Sequence, residues 1–238
     1  DITRYGMDWD GKPHLADLLE ELCKLDFHWI RLHYLYPEWI DDRLIDVIAR
    51  EDKILKYLDI PLQHCNDKIL KKMNRRGDKK YLCALLDKLR ERIPGLVLRT
   101  SIIAGLPGEG EEEFDELCDF LREQKLLRAG VFPYSPEEGT RAAKMERVDS
   151  RRAERIVDIQ SEIIDAWNDE RQGDVMEVLC EGFDGQSMLF VGRSYAESPD
   201  IDGRIYFSAP RDVAAGEFVP VRITGAMDGE LTGELAEE

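Results

Sequence analysis

The sequence predicts an α/β domain followed by a smaller all-β domain. Strand-like and helix-like patterns alternate as far as about residue 170, and each polar motif falls directly after a strand, at what would be one common sheet edge. After about Gly173 helical periodicity stops, and short strands separated by Gly, Asp and Pro turns take over, as in a small antiparallel barrel. Parallel strands joined by right-handed crossovers satisfy the first pattern, and it leaves a barrel or a doubly wound sheet open.

Taken in order, residues 1–6 (DITRYG) are too short for an element and read as the end of a strand with its loop. Leu15, Leu18, Leu19, Leu22 and Leu25 recur at helical spacing and predict a helix over 14–25. Residues 29–36 (WIRLHYLY) alternate and are rich in aromatic and β-branched types, so they predict a strand that Pro37 ends. Asp41 or Asp42 caps a helix carrying Leu44, Ile45, Val47 and Ile48. The stretch 54–77 (ILKYLDIPLQHCNDKILKKMNRRG) is the centre of the chain. Its apolar first half is a strand stopped by Pro61, Gln63 and His64 follow at the tip, and Asn66 or Asp67 caps a helix with Ile69, Leu70 and Met73 on one face. A helix over 78–92, a strand over 96–104, a helix over 111–123 and a strand over 129–134 come next. A long helix from about Ser150 to Asp169 closes the first domain, which is placed at 1–171, with the second at 172–238.

A net charge of −17 opposes polyanions over the averaged surface. Residues 171–238 hold five Arg, no Lys or His, and fourteen Asp or Glu, a net charge of about −9. No apolar run suffices to span a bilayer, so no membrane role is expected. Cys23, Cys65, Cys83, Cys118 and Cys180 are an odd number, widely spaced and without a CxxC pair, which argues for reduced thiols in the cytoplasm. The chain begins at Asp1 without Met and is read as a fragment.

The loop 105–110 (GLPGEG) invites a phosphate-loop reading but lacks the following Lys-Ser/Thr, and as a plain strand-to-helix turn it needs no ligand. Gln63 and His64 carry donors and acceptors suited to a ribose or carboxylate, although His64 fits equally as a satisfied structural residue. Arg99, inside an apolar strand, needs a partner, either a neighbouring acid or a bound substrate. Lys71, Lys72, Arg75 and Arg76 form the one concentrated basic cluster, a solvated helix face or an anion contact.

Together, DITRYG, RLHYLYP (31–37), DIPLQH (59–64) with ILKKMNR (69–75), RTSIIAGLPGE (99–109) and FPYSPEEGT (132–140) resemble the radical S-adenosylmethionine methylthiotransferases in order and spacing. The resemblance covers essentially the whole chain, and the tail from Asp174 resembles the TRAM domain that closes these proteins. It implies a partial radical-SAM (TIM-like) parallel barrel followed by the small TRAM β-barrel. Within the family the chain looks like the branch that modifies a ribosomal protein rather than tRNA, because of His64, the stretch RLHYLYP and Asp1. An acidic terminal domain supports that choice, since it opposes phosphate binding and suits a basic protein of the small ribosomal subunit. The tRNA-modifying relative is the first alternative, and a non-catalytic module binding a basic protein is the second.

The implied activity is methylthiolation of the β-carbon of an aspartate in small-subunit ribosomal protein twelve. S-adenosyl-L-methionine and two 4Fe-4S clusters would serve the intact parent. The family's CxxxCxxC is missing, so no cluster, no metal ligand and no turnover are expected of this chain alone. Carried over by motif, the resemblance places Gln63 and His64 near the ribose, and Arg99 and Ser101 toward the methionine part. Ile103 and Gly105 fall on the adenine-side strand, and Phe132 and Tyr134 border the adenine. No catalytic residue is assigned. An open barrel edge further implies a possible dimer.

Overall fold

A computed structural model describes residues 1–140 and 151–236. The chain divides into two compact units, residues 1–160 and 161–238.

In the first unit, β1 (Ile30–Leu32), β2 (Ile54–Asp59), β3 (Val97–Ala104) and β4 (Arg128–Pro133) form a parallel sheet in the order β1-β2-β3-β4. A short α1 (Met7–Asp10) and α2 (Leu15–Cys23) precede β1, and helices α3 (Asp42–Arg50), α4 (Asp67–Lys72), α5 (Lys79–Arg92) and α6 (Glu111–Gln124) supply the connections between strands. Caps fall where the sequence places them. Asp41 accepts from Leu44 N–H at 2.8 Å, Asn66 from Lys68 and Ile69, and Asp78 from Tyr81 N–H at 2.8 Å. Strand β2 is buried along its length except for Lys56, whose ammonium answers the last carbonyls of α3 at Ala49 (3.3 Å) and Glu51 (3.0 Å). Tyr57, Leu58, Leu86, Leu89, Phe114 and Phe120 lie in the core, each at most 2% exposed.

Two local expectations change. Ile2–Arg4 is a 3₁₀ turn and not the end of a strand: Asp1 caps it through Thr3 N–H (3.0 Å), and Ile2 N–H donates to Tyr34 O at 3.2 Å. The strand expected over 29–36 is confined to Ile30–Leu32. Tyr34 turns with φ +59°, and Leu35 N–H then donates to Asp59 O at 2.9 Å, which diverts the chain over the tip of β2.

Helix α7 (Arg152–Glu170) contributes Ala153, Ile156 and Ile159 to the first unit. Its expected start near Ser150 lies outside the described residues, as do the last two residues of the second domain. In the second unit, β5 (Val175–Asp184), β6 (Leu189–Arg193), β7 (Ile205–Ser208), β8 (Phe218–Met227) and β9 (Glu230–Leu235) close into a barrel ordered β5-β6-β7-β9-β8. The barrel is mixed and not purely antiparallel, because β7 and β9 run parallel. A closed ring of five strands cannot alternate direction all the way round, so one neighbouring pair must be parallel. Val178, Cys180, Ile205, Phe207, Val221 and Ile223 fill its core. Trp167 packs against that core, and the Asn168 amide donates to Gly229 O at 3.0 Å. Among the described residues no helix is long and apolar enough to cross a membrane.

Candidate functional site

Gln63 and His64 follow the end of β2, and Gly105 and Tyr134 the ends of β3 and β4, the edge at which parallel sheets place ligands, whereas Arg99 and Ser101 lie earlier, within β3. Gln63, with φ +69°, bridges to β3: its N–H donates to Ser101 O at 2.8 Å and its carbonyl accepts from Ile103 N–H at 2.9 Å. Along β3 the burial alternates. Thr100, Ile102 and Ala104 are buried, whereas Arg99, Ser101 and Ile103 share the less buried face. Ser101 pairs in register with Gly130, and Ile103 with Phe132, which is 54% exposed. Tyr134 follows, its N–H donating to Ala104 O at 2.8 Å. Its hydroxyl is buried with no hydrogen-bond partner among the described residues.

Arg99 meets an acid on the neighbouring strand. Its guanidinium donates to Asp59 at 3.0 Å, with the two side chains 11% and 1% exposed. Asp59 also has His33 Nδ1 at 3.7 Å and accepts from Tyr34 N–H at 3.4 Å. Burial pushes this carboxyl up, but His33, Arg99 and the Tyr34 amide together hold it below the usual carboxylate range. The register Asp59↔Arg99 puts the pair side by side. A Cβ at Gly130, on the next strand, would lie in ordinary contact with the Arg99 guanidinium at 3.5 Å.

His64 is withdrawn from the surface at 0% exposure. Its Nδ1 accepts from Asn66 N–H at 2.9 Å, so Nε2 carries the proton and faces Glu109 at 3.5 Å, a contact longer than a hydrogen bond of normal length. Glu109, 2% exposed, accepts from Gly105 N–H at 3.1 Å, Leu106 N–H at 3.3 Å and Arg152 at 2.8 Å. Burial raises its pKa, and His64, Arg152 and the Gly105 amide outweigh it, leaving the carboxyl below its ordinary value. The Gly105 and Leu106 amides are therefore taken by a carboxylate of the same loop, and the Gly110 amide by Glu113, so these three are not free to cradle a phosphate. Asp59, Glu109 and Arg152 were missed from sequence. A signal existed for Asp59, an acid ending an otherwise apolar strand. None existed for Arg152, which acts on Glu109 from 43 residues away.

The cysteines do not suit a cluster. Among the described residues no three His, Cys, Asp or Glu side chains converge on a metal position. Cys65, Cys118 and Cys180 are buried, and desolvation raises all five thiols and so disfavours the thiolates a cluster needs. S-adenosylmethionine is another matter. The open face of Ser101, Ile103 and Phe132, the fixed Arg99 and the orphaned Tyr134 hydroxyl suit a ligand with apolar and polar parts.

Comparison with known proteins bears on the same two units. The family model for the radical SAM superfamily matches residues 5–121, and that for the TRAM domain matches residues 173–236. The ribosomal protein uS12 methylthiotransferase RimO of Symbiobacterium thermophilum is 46% identical over 245 residues, covering 100% of this chain and 50% of that protein. The chain is a RimO homologue. RimO of Acetivibrio thermocellus is 43% identical over 244 residues (100% of this chain, 54% of that protein), and RimO of Pelotomaculum thermopropionicum 48% over 242 residues (98% and 54%). The chain thus spans about half the length of the RimO proteins it matches. It joins a parallel α/β sheet of the radical SAM type to a mixed five-stranded TRAM barrel.

Proposed function

We propose that this chain is the barrel-wall and TRAM portion of an enzyme that methylthiolates the β-carbon of an aspartate in ribosomal protein uS12. The observation that carries the reading is the identity of 46% with a RimO protein over 100% of the chain. S-adenosylmethionine would supply the hydrogen-abstracting species and the methyl group. The two 4Fe-4S clusters of the intact enzyme would be held by residues outside this chain, since its own thiols do not converge.

This chain's part is to bind, orient and exclude water. Arg99, held by Asp59, presents a fixed donor to the carboxylate of the methionine part, and Ser101 adds a small polar side chain next to it. Ile103 and Phe132 offer an apolar border for the adenine, with Tyr134 at the rim, and Gln63 presents its amide at the tip of β2. His64 acts from behind, holding the turn through Asn66 N–H without touching the ligand. Rigid placement matters because a hydrogen-atom transfer needs its two carbons held in contact. The acidic TRAM unit favours encounter with a basic protein.

Anaerobic reconstitution of the complete protein followed by mass spectrometry of uS12 tests this. A methylthio group on aspartate is expected. A methylthio group on tRNA adenosine, or no 5′-deoxyadenosine at all, rejects the reading.

A further inference from the structure

We propose that the basic face around Trp39 is a docking surface for the phosphate backbone of RNA. Lys71, Lys72, Arg75 and Arg76 lie on α4 and the turn after it, and Arg4 arrives from the N-terminal 3₁₀ turn. The structure joins these segments through aromatic rings. The Arg4 guanidinium lies 6.0 Å and that of Arg76 5.9 Å from the centre of the Trp39 ring, and Arg75 lies 5.3 Å from that of Tyr36. Arg75 is anchored by donating to Pro61 O at 2.8 Å, while Arg4, Lys71, Lys72 and Arg76 are exposed. Tyr34, on the same stretch as Tyr36, is 62% exposed.

What distinguishes this face is unanswered charge. Among the described residues none of these five cations makes an ion pair, although the chain carries 50 acids against 33 Lys and Arg. On other faces of the same unit Arg43 meets Asp17 and Glu20, Lys68 meets Glu113, and Arg92 meets Asp42 and Asp46. Glu38, next to Trp39, is the acid whose charge acts on Arg75. Gathering like charges with one acid beside them and no ion pair among the described residues is unfavourable, so the arrangement points to an anion from outside the chain.

Arginine forks over the half-buried rings of Tyr36 and Trp39, with Tyr34 exposed beside them, suit phosphates and unstacked bases better than the isolated carboxylates of an acidic peptide. RNA also fits the proposed function, on which this part of the argument rests. A ribosomal protein in place is embedded in RNA, so an enzyme acting on it there would meet both chemistries. The acidic TRAM unit would favour the basic protein, and the Trp39 face would favour the phosphates around it.

The test is fluorescence anisotropy of a labelled single-stranded RNA and a short RNA hairpin with the complete protein, titrated in KCl. Three to five phosphates neutralised on a single strand predict affinity falling roughly 20- to 130-fold between about 50 and 200 mM salt. Arg4→Gln with Arg76→Gln should weaken binding about tenfold at low salt and make the log–log salt slope shallower by about 1.4. Arg122→Gln, on α6, should leave both unchanged. Unaltered melting temperatures in the exposed-residue variants separate lost contacts from lost folding. No binding at low salt, an unchanged double variant, or displacement by poly-glutamate as effective as by RNA would overturn the proposal. RNA binding without methylthiolation of uS12 would sink the proposed function and leave this surface standing. Methylthiolation without RNA binding would do the reverse.

Discussion

Glu109 makes the sharpest stability test. Its carboxylate is buried, ties the loop after β3 to Arg152, and faces His64 on the loop after β2. Glu109→Ala removes the anion and leaves Arg152, whose side chain is 10% exposed, with one remaining carboxylate, the exposed Glu111. Breaking a buried pair from one side costs about 3–5 kcal/mol, because the surviving charge stays desolvated. For a chain of this size that predicts a fall in melting temperature of about 6–20 °C. Replacing both partners, as Glu109→Leu with Arg152→Met, should recover much of the loss. The sign of the pH effect follows from the direction of the shift. A carboxyl held below its ordinary value stabilises fully above the unfolded pKa of about 4.3, and that contribution fades as pH falls through the folded value. Wild type and Glu109→Gln should therefore converge in stability on acidification. Thermal melts by circular dichroism from pH 7 downward measure all of this. A loss under about 1 kcal/mol for Glu109→Ala, or a double variant no better than the single, would refute the reasoning.

Two further predictions address other parts of the fold. In the barrel, a Cβ at Gly233 would meet Arg222 O at 2.5 Å and Val221 at 2.6 Å, whereas at Gly185 it would meet nothing within 4 Å. Gly233→Ala should lower barrel stability by about 1–3 kcal/mol, as overpacking does, and Gly185→Ala should be near neutral, both read by urea denaturation. His14 has Asp17 at 2.9 Å and Asp10 at 3.0 Å on its two ring nitrogens, and these bonds raise its pKa. Its stabilising contribution is full below the unfolded pKa of about 6.5 and fades as pH rises through the folded value. An NMR titration should show a midpoint above 6.5 that drops in Asp17→Asn; no change in that variant would reject the pairing.

Most of the elements were legible because periodicity and capping are local. Leu82, Leu85, Leu86 and Leu89 announce α5, Asp78 starts it, and Pro94-Gly95 follows its end. The first strand was overread at 29–36 because aromatic alternation does not reveal a φ of +59° at Tyr34, which the tip of β2 imposes through Asp59. His64 is open between two roles in the sequence, and its complete burial against Glu109, which sequence spacing does not reveal, favours the structural one.

The sequence by itself determined two domains, the alternation of strand and helix, the polar edge after β2 and β3, and the absence of any cluster-ligand spacing among five cysteines. Those features depend on residues close together in the chain. Tertiary structure alone decided that Arg99 takes Asp59, that Arg152 reaches Glu109 from 43 residues away, and that β7 lies parallel to β9. It also brought Arg4 and Arg76 to one indole ring. A charge that leaves water must find its partner in space, and no local pattern records which distant segment will supply it.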